Sequence, residues 1–267
     1  MFKIISLISQ KYLFKFFGKK SKIKFDQIYN IEKGKSCYIF GDGVSLKYLD
    51  LKNFKDLDII AGNNFIIHND FKSLPVKYYV FYQPFWFFPL IKVYNKISLN
   101  YMYLTIMNLM SKANNTLFFS SVTNILLFKV KSMIFLKENS FDNTRLNELT
   151  GKFNCFEGTL RLQILIAIYL GYDEVTLIGH DYTHSPAQSG HFYEFGKGIH
   201  TNHDYWNQEF LEEAKKHLKI KTLTINSVSN RLDFIKYSKI NYKENIQIVS
   251  KKYLDKMSKF FYYKVYK

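Results

Sequence analysis

The chain is poor in the residues that staple, chelate or cross. Only two cysteines, Cys37 and Cys155, occur in 267 residues, so no disulfide framework is available, and a chain of this length buries a substantial core without one. Cys37 falls in an apolar, strand-like run, which predicts buried thiols and a reducing compartment. Neither an HExxH pattern nor a cysteine partner at zinc-ligand spacing is present. The turn Gly41-Asp42-Gly43 lacks both the third glycine of a dinucleotide fingerprint and the Lys-Ser/Thr of a P-loop. Residues 1–24 hold apolar runs broken by Lys11 and Lys15, too short and interrupted to span a bilayer, and they lack the small-residue site of a signal peptide.

What is present in excess is lysine at the two ends. The net charge is +16, yet residues 1–35 carry +7, residues 235–267 carry +7, and the body between them only +2. With no nucleic-acid-binding signature on that body, the basic ends read as surface anchors rather than as a nucleic-acid interface. Tyr253, Leu254, Met257, Phe260 and Phe261 recur at helical spacing among Lys251, Lys252, Lys256 and Lys259, the pattern of a basic amphipathic helix on an anionic membrane surface or of a terminal helix packed on the body.

Short apolar runs ending in Gly, Asn or Gln give the fold. Ser36–Phe40, Leu57–Ala61, Lys77–Tyr82, Thr116–Ser121, Val175–Ile178 and Lys221–Ile225 read as strands. Thr159–Leu170 is almost wholly apolar and reads as a buried helix stopped at Gly171. A second helix spans Asn207–Leu218, and much of Phe85–Met110 is helical, with Trp86, Phe87 and Phe88 suited to a lid or a subunit interface. Strands alternating with helices predict a mostly parallel α/β sheet whose carboxyl ends form a ligand crevice. Ser45 is placed to cap a short helix after the first turn.

Residues 182–205 break the rhythm, and a loop this long in a compact domain reads as a lid. Five of the seven histidines, His180, His184, His191, His200 and His203, lie between Gly179 and Tyr205. A histidine there suits general-base work near neutral pH.

These segments, in their order, resemble the bacterial sialyltransferases of glycosyltransferase family 42, and more loosely related pyrophosphokinase-like surface-polysaccharide proteins. The family's Gly-Asn-Gly-Pro-Ser-Leu turn appears as Gly41-Asp42-Gly43-Val44-Ser45-Leu46. Its Cys-Asn-Gln-Phe appears as Gly62-Asn63-Asn64-Phe65, and its Phe-Tyr-Asn-Pro as Phe81-Tyr82-Gln83-Pro84. Its helix and following strand run from Thr159 through Leu170-Gly171-Tyr172 to Gly179-His180-Asp181. The late helix and strand recur as Phe210-Leu211-Glu212 and Lys219-Ile220-Lys221.

The resemblance implies a GT-A-like, Rossmann-type sheet with a lid, and an inverting transfer of a nonulosonic acid from a CMP-sugar to a glycan or glycolipid acceptor. It implies that Gly41, Asp42, Gly43 and Asn63 meet the nucleotide, that Gln83 lies at the donor sugar and Thr159 at the helix start near the donor, and that Asp181 lines the donor site. Tyr182 and Tyr193 are the candidates for the departing phosphate, and His200, then His203, for the base. No cofactor is required, because the CMP-sugar is a substrate, and a divalent cation is not indicated. Asp42 replaces an asparagine, and the arginine that precedes the family's helix is missing at Phe156-Glu157, with Arg161 nearby. The expected organisation is a basic arm over 1–35, a nucleotide-sugar domain over 36–235 with a lid at 182–205, and a basic segment over 236–267. The protein is expected in the cytoplasm, at the inner membrane surface, with homo-oligomers open.

Overall fold

A computed structural model describes residues 2–83, 106, 108–110, 112–113, 115–141, 144, 146–201, 207–229 and 231–243. Its centre is an eight-stranded sheet in the order β10-β9-β6-β1-β2-β3-β4-β5, and every pairing in it is parallel. The strands are β1 (Ser36–Phe40), β2 (Asp58–Gly62), β3 (Val76–Phe81), β4 (Leu117–Ser121), β5 (Met133–Leu136), β6 (Glu174–Ile178), β9 (Lys219–Thr224) and β10 (Asp233–Lys236). A separate antiparallel pair, β7 (Ala187–Ser189) with β8 (Ile199–Thr201), lies in the 182–205 segment.

The inner strands are apolar throughout because both faces of the sheet are covered. Cys37 and Ile39 of β1 face one core layer with Ile60, Val80, Phe119 and Leu177. Phe40 faces the other, with Ala61, Tyr79, Phe118 and Ile178. Both cysteines are free and buried, and burial, followed by Asp58 and Glu32, holds the Cys37 thiol well above its ordinary pKa.

Among the α-helices are α1 (Phe2–Gln27), α2 (Asn147–Lys152), α3 (Thr159–Leu170) and α4 (Gln208–Ala214). Helix α3 is buried along nearly its whole length, as its composition predicts. It ends at Gly171, whose φ of 93° is left-handed and whose N–H bonds back to Ala167 and Ile168, a geometry that favours glycine.

The N-terminal 35 residues are not a free arm. Helix α1 lies along β5: Ser21 Oγ accepts the Phe135 N–H at 3.0 Å, Gln10 Oε1 accepts the Glu138 N–H at 2.8 Å, and Phe25 stacks on Tyr169 with centroids 3.9 Å apart. Lysine count says nothing of this, because the packed stripe needs only one side of the helix. The Lys221–Ile225 run is not the last strand either. β10 follows it, on the open edge of the sheet, carrying the fold to Lys236. Ser45 does not cap a helix; it lies within a 3₁₀ segment, Val44–Tyr48, which Gly43 precedes without a side-chain cap. Most of the expected 85–110 helix, the 86–88 aromatic patch, Pro84, His203 and the 251–267 segment lie outside the described residues.

Candidate active site

The strand order reverses at β1. Strands β2 to β5 step away on one side and β6 lies on the other, so the carboxyl ends of β1 and β6 flank a topological switch point, where open α/β sheets bind ligands. The two ends meet there backbone to backbone. Gly41 N–H donates to Ile178 O at 2.8 Å, Gly43 N–H to Gly179 O at 2.9 Å, and Ser45 N–H to Asp181 Oδ2 at 2.8 Å. A Cβ on Gly43 would stand 2.4 Å from Asp181 Oδ2 and 2.6 Å from Gly179 O, and one on Gly41 would stand 2.4 Å from Gly179 O. These glycines therefore serve the contact between the β1 and β6 turns. Two amides that a phosphate cradle would use, those of Gly41 and Gly43, are bonded to protein, and the Asp181 carboxylate is built into the same joint.

What the joint presents is Asp42. Its carboxylate is buried, and its pKa is raised by burial, against the pull of His191. Asn64 Nδ2 donates to the Tyr193 hydroxyl at 3.0 Å. His191 stacks on Tyr193, centroids 5.0 Å apart and planes 12° from parallel, with Nδ1 2.9 Å from Glu194 Oε1. Burial opposes a charge on His191, but Asp42 and Glu194 outweigh it and lift the pKa to about 9, so His191 is an imidazolium at neutral pH. The hydroxyls of Tyr193 and Tyr82 are pushed up by burial first and by Asp42 second, while Tyr182, whose hydroxyl Asp42 also pushes up, is 47% exposed.

The lid, which itself supplies His191, Tyr193 and Glu194, is tied down to the β1 turn. Gly43 and His191 form an antiparallel bridge, Phe192 N–H donates to Asp42 O at 3.1 Å, and Val44 N–H to Gly190 O at 3.1 Å. The buried Lys47 ammonium donates to the carbonyls of Glu194 and Gly196.

On the β2 side, Asn63 takes a left-handed φ of 51° and its carbonyl accepts the Tyr79 hydroxyl at 2.6 Å. Thr159, at the start of α3, lies beside Gly62, where a Cβ would stand 2.6 Å from Thr159 Cγ2. The N-terminus of α3 thus begins beside Gly62, the residue before Asn63. Gln83 is exposed past the end of β3, its carbonyl accepting Asn124 Nδ2 at 2.9 Å. Arg161 is engaged elsewhere, bonded to Glu157 and Asn207 and lying over the rings of Phe153 and Phe210.

The five clustered histidines are sorted by this geometry. His180, just before the lid, and His184, near its start, are buried, and burial lowers both, His180 to about 3. His191 joins the Asp42 group. His200 is exposed on β8, paired across the hairpin with Gln188, and lines a cavity of about 310 Å³ with Ser45, Tyr48, His184, Lys197 and Asn226. Neither Asp42 nor His191 lines that cavity. Tyr182, Tyr193, Asp42 and Asn64 are thus brought together, while His200 stands apart from them. His191 and Glu194 are the members that spacing alone did not single out; the His-x-x-Glu pair was the available signal. A larger cavity at the amino ends of β2 and β3 includes Asp58 and Lys77, but Lys77 is held by Glu32 and Asp58, a scaffolding role. Among the described residues, no group of three or more His, Cys, Asp or Glu is arranged to hold a metal ion.

The buried histidines make the fold acid-sensitive. His68, whose pKa burial lowers to about 4, and His180 stay neutral in the folded chain while their unfolded counterparts bind protons below about 6.5. Stability therefore falls as pH drops from 6.5 towards 4, by up to about 1.4 kcal/mol per pH unit for each imidazole. Asp42 and Asp181, raised by burial, act in the opposite sense. His68 Nδ1 accepts the Asp70 N–H at 3.1 Å, so His68→Asn retains an acceptor while removing the titration. Melting temperatures across that range should fall less steeply for His68→Asn than for the parent; parallel curves would contradict the assignment.

No protein-family model and no curated protein matches the chain. Among solved structures it is similar to the sialyltransferase CstII from Campylobacter jejuni in complex with the substrate analogue CMP-3FNeuAc, at 19% identity, over 84% of this chain and 99% of that one, with a TM-score of 0.44. A CstII variant in complex with CMP gives 20%, 84%, 98% and 0.47, and monomeric CstII gives 21%, 84%, 99% and 0.45.

Proposed function

We propose that the chain is an inverting, sialyltransferase-like glycosyltransferase that moves a nonulosonic acid from a CMP-sugar to a surface-glycan or glycolipid acceptor, held peripherally at the inner membrane by its lysine-rich ends. The observation that carries this reading is the group Asp42, Asn64, Tyr193, His191 and Glu194, formed where the 182–205 segment is tied to the β1 turn at the β1/β6 switch point. A segment that closes over an activated donor would shield it from hydrolysis.

In this reading Asp42 accepts hydroxyl groups of the donor ribose, which a buried carboxylate does without meeting the phosphate. The phosphate lies towards the start of α3, where the helix dipole and Thr159 favour an anion, and Asn63 and Gln83 orient the donor. The hydroxyls of Tyr182 and Tyr193, with the His191 imidazolium behind them, stabilise charge growing on the departing CMP. His200 takes the acceptor proton, which requires the acceptor to extend from the His200 cavity to the donor at the Asp42 group. The 310 Å³ of that cavity leaves room for a sugar ring.

A thermal-shift series with CMP, CDP, UDP and ATP plus magnesium tests this directly. CMP should raise the melting temperature at concentrations where ATP does not. Stabilisation by ATP with magnesium alone would instead favour a pyrophosphokinase-like transferase, and CMP binding without turnover on any glycan a non-catalytic relative. Asp42→Asn keeps an acceptor for a ribose hydroxyl and should change CMP affinity by no more than a few-fold. A hundredfold loss would show that the carboxylate's charge itself is required.

A further inference from the structure

Helix α1 is amphipathic twice over. Its inner stripe, Gln10, Gly18, Ser21 and Phe25, is buried against β5 and the core. At 100° per residue, Tyr12, Phe16 and Ile23 fall on the opposite side of the cylinder, and they are 64%, 76% and 53% exposed. Lys15, Lys19, Lys20 and Lys22, all exposed, border that outer stripe. A helix face turned to water is ordinarily polar. Here two large aromatic residues and an isoleucine occupy it on a helix whose other side is fixed by packing and by two side-chain-to-backbone hydrogen bonds, so fraying does not explain their exposure.

From this we infer that the outer face of α1 is a membrane-docking surface for anionic phospholipid. Large apolar side chains flanked by lysines match the headgroup boundary of such a bilayer, the rings entering the acyl region and the ammonium groups reaching the phosphates. The occupant is argued from charge: the lysines border the stripe on both sides, and the nearby acid Asp26 is paired with Lys22 at 2.7 Å. Among the described residues no helix is long and apolar enough to cross a membrane, and α1 lies against its own sheet, so the contact is parallel to the bilayer. The inference deepens the peripheral attachment within the proposed function, and rests on that part of it alone.

The test is flotation of the full chain with vesicles of phosphatidylcholine, with and without phosphatidylglycerol. The parent should bind the phosphatidylglycerol vesicles and release at high salt. The variant Tyr12→Ser/Phe16→Ser/Ile23→Ser should bind at least about tenfold more weakly, with an unchanged melting temperature and an unchanged shift by CMP. Lys15→Gln/Lys19→Gln/Lys20→Gln should weaken binding and flatten its salt dependence. If the serine variant binds as the parent does while deletion of residues 251–267 abolishes binding, the α1 surface is refuted though attachment by the other end stands. If the parent does not bind anionic vesicles, both fall. If the serine variant instead converts a dimer to a monomer by light scattering with no change in flotation, the face is a contact between copies and the inference is wrong.

Discussion

Gly43→Ala is expected to destabilise the chain by about 3 kcal/mol, at the upper end of what an inserted methyl group costs in a packed site. The added Cβ would meet Asp181 Oδ2 at 2.4 Å and Gly179 O at 2.6 Å, and neither can withdraw cheaply. Gly179 O accepts the Gly43 N–H, and Asp181 Oδ2 accepts the Ser45 N–H. Relief therefore means parting the β1 and β6 turns, which also displaces Asp42. Gly151→Ala is the control, since it lies in α2 with nothing within 4 Å of its Cβ, and there alanine should be neutral or stabilising by up to about 1 kcal/mol. Chemical denaturation of the two variants measures the contrast. Equal stabilities would mean that the turns are not packed as described.

Under the proposed function, His200→Ala should lower turnover by roughly 10²-fold or more while leaving CMP affinity nearly unchanged, because a general base acts on the acceptor and not on the bound nucleotide. His191→Gln should behave differently. It removes the imidazolium enclosed by Asp42 and Glu194, so CMP-dependent stabilisation and turnover should fall together. The parent should also lose CMP affinity as pH rises through about 9, where His191 discharges, and the glutamine variant should not. Should His191→Gln cost turnover alone and His200→Ala change nothing, the base belongs to the Asp42 group and the hairpin histidine is a surface residue.

The difference between these two histidines shows where sequence reading stops. The strands of the crevice were legible because each is an apolar run closed by a small or polar residue, and α3 was legible to the residue because nothing but a buried helix suits Thr159–Leu170. Strand β5 was not, since Met133–Leu136 sits in a stretch of apolar residues interrupted by lysines that has no clean period. Strand β10 is exposed at every position and carries no burial pattern at all. The motif turns were found, but not what their glycines touch: Gly41 and Gly43 read as a close approach to the nucleotide, and only tertiary contact shows that they also close on Gly179. His191 was hidden because its partners come from three places, Asp42 after β1, Asn64 after β2 through Tyr193, and Glu194 in the lid. Spacing along a chain carries no information about such a meeting.

Strand β1 also sets a timetable for the chain as it is made. Its partner on one side, β2, begins at Asp58, and the stack out to β5 is complete by Leu136. Its partner on the other side, β6, begins only at Glu174. During N-to-C synthesis, β1 to β5 can pair while the far edge of β1, with the apolar Cys37, Ile39 and Phe40, waits for roughly 40 more residues, several seconds at ribosomal rates. An unpaired, apolar parallel edge in the middle of the final sheet is a template for the wrong strand. The nascent chain is thus most exposed to misassociation in that interval, and slower elongation between codons 136 and 178 should lower the yield of soluble protein.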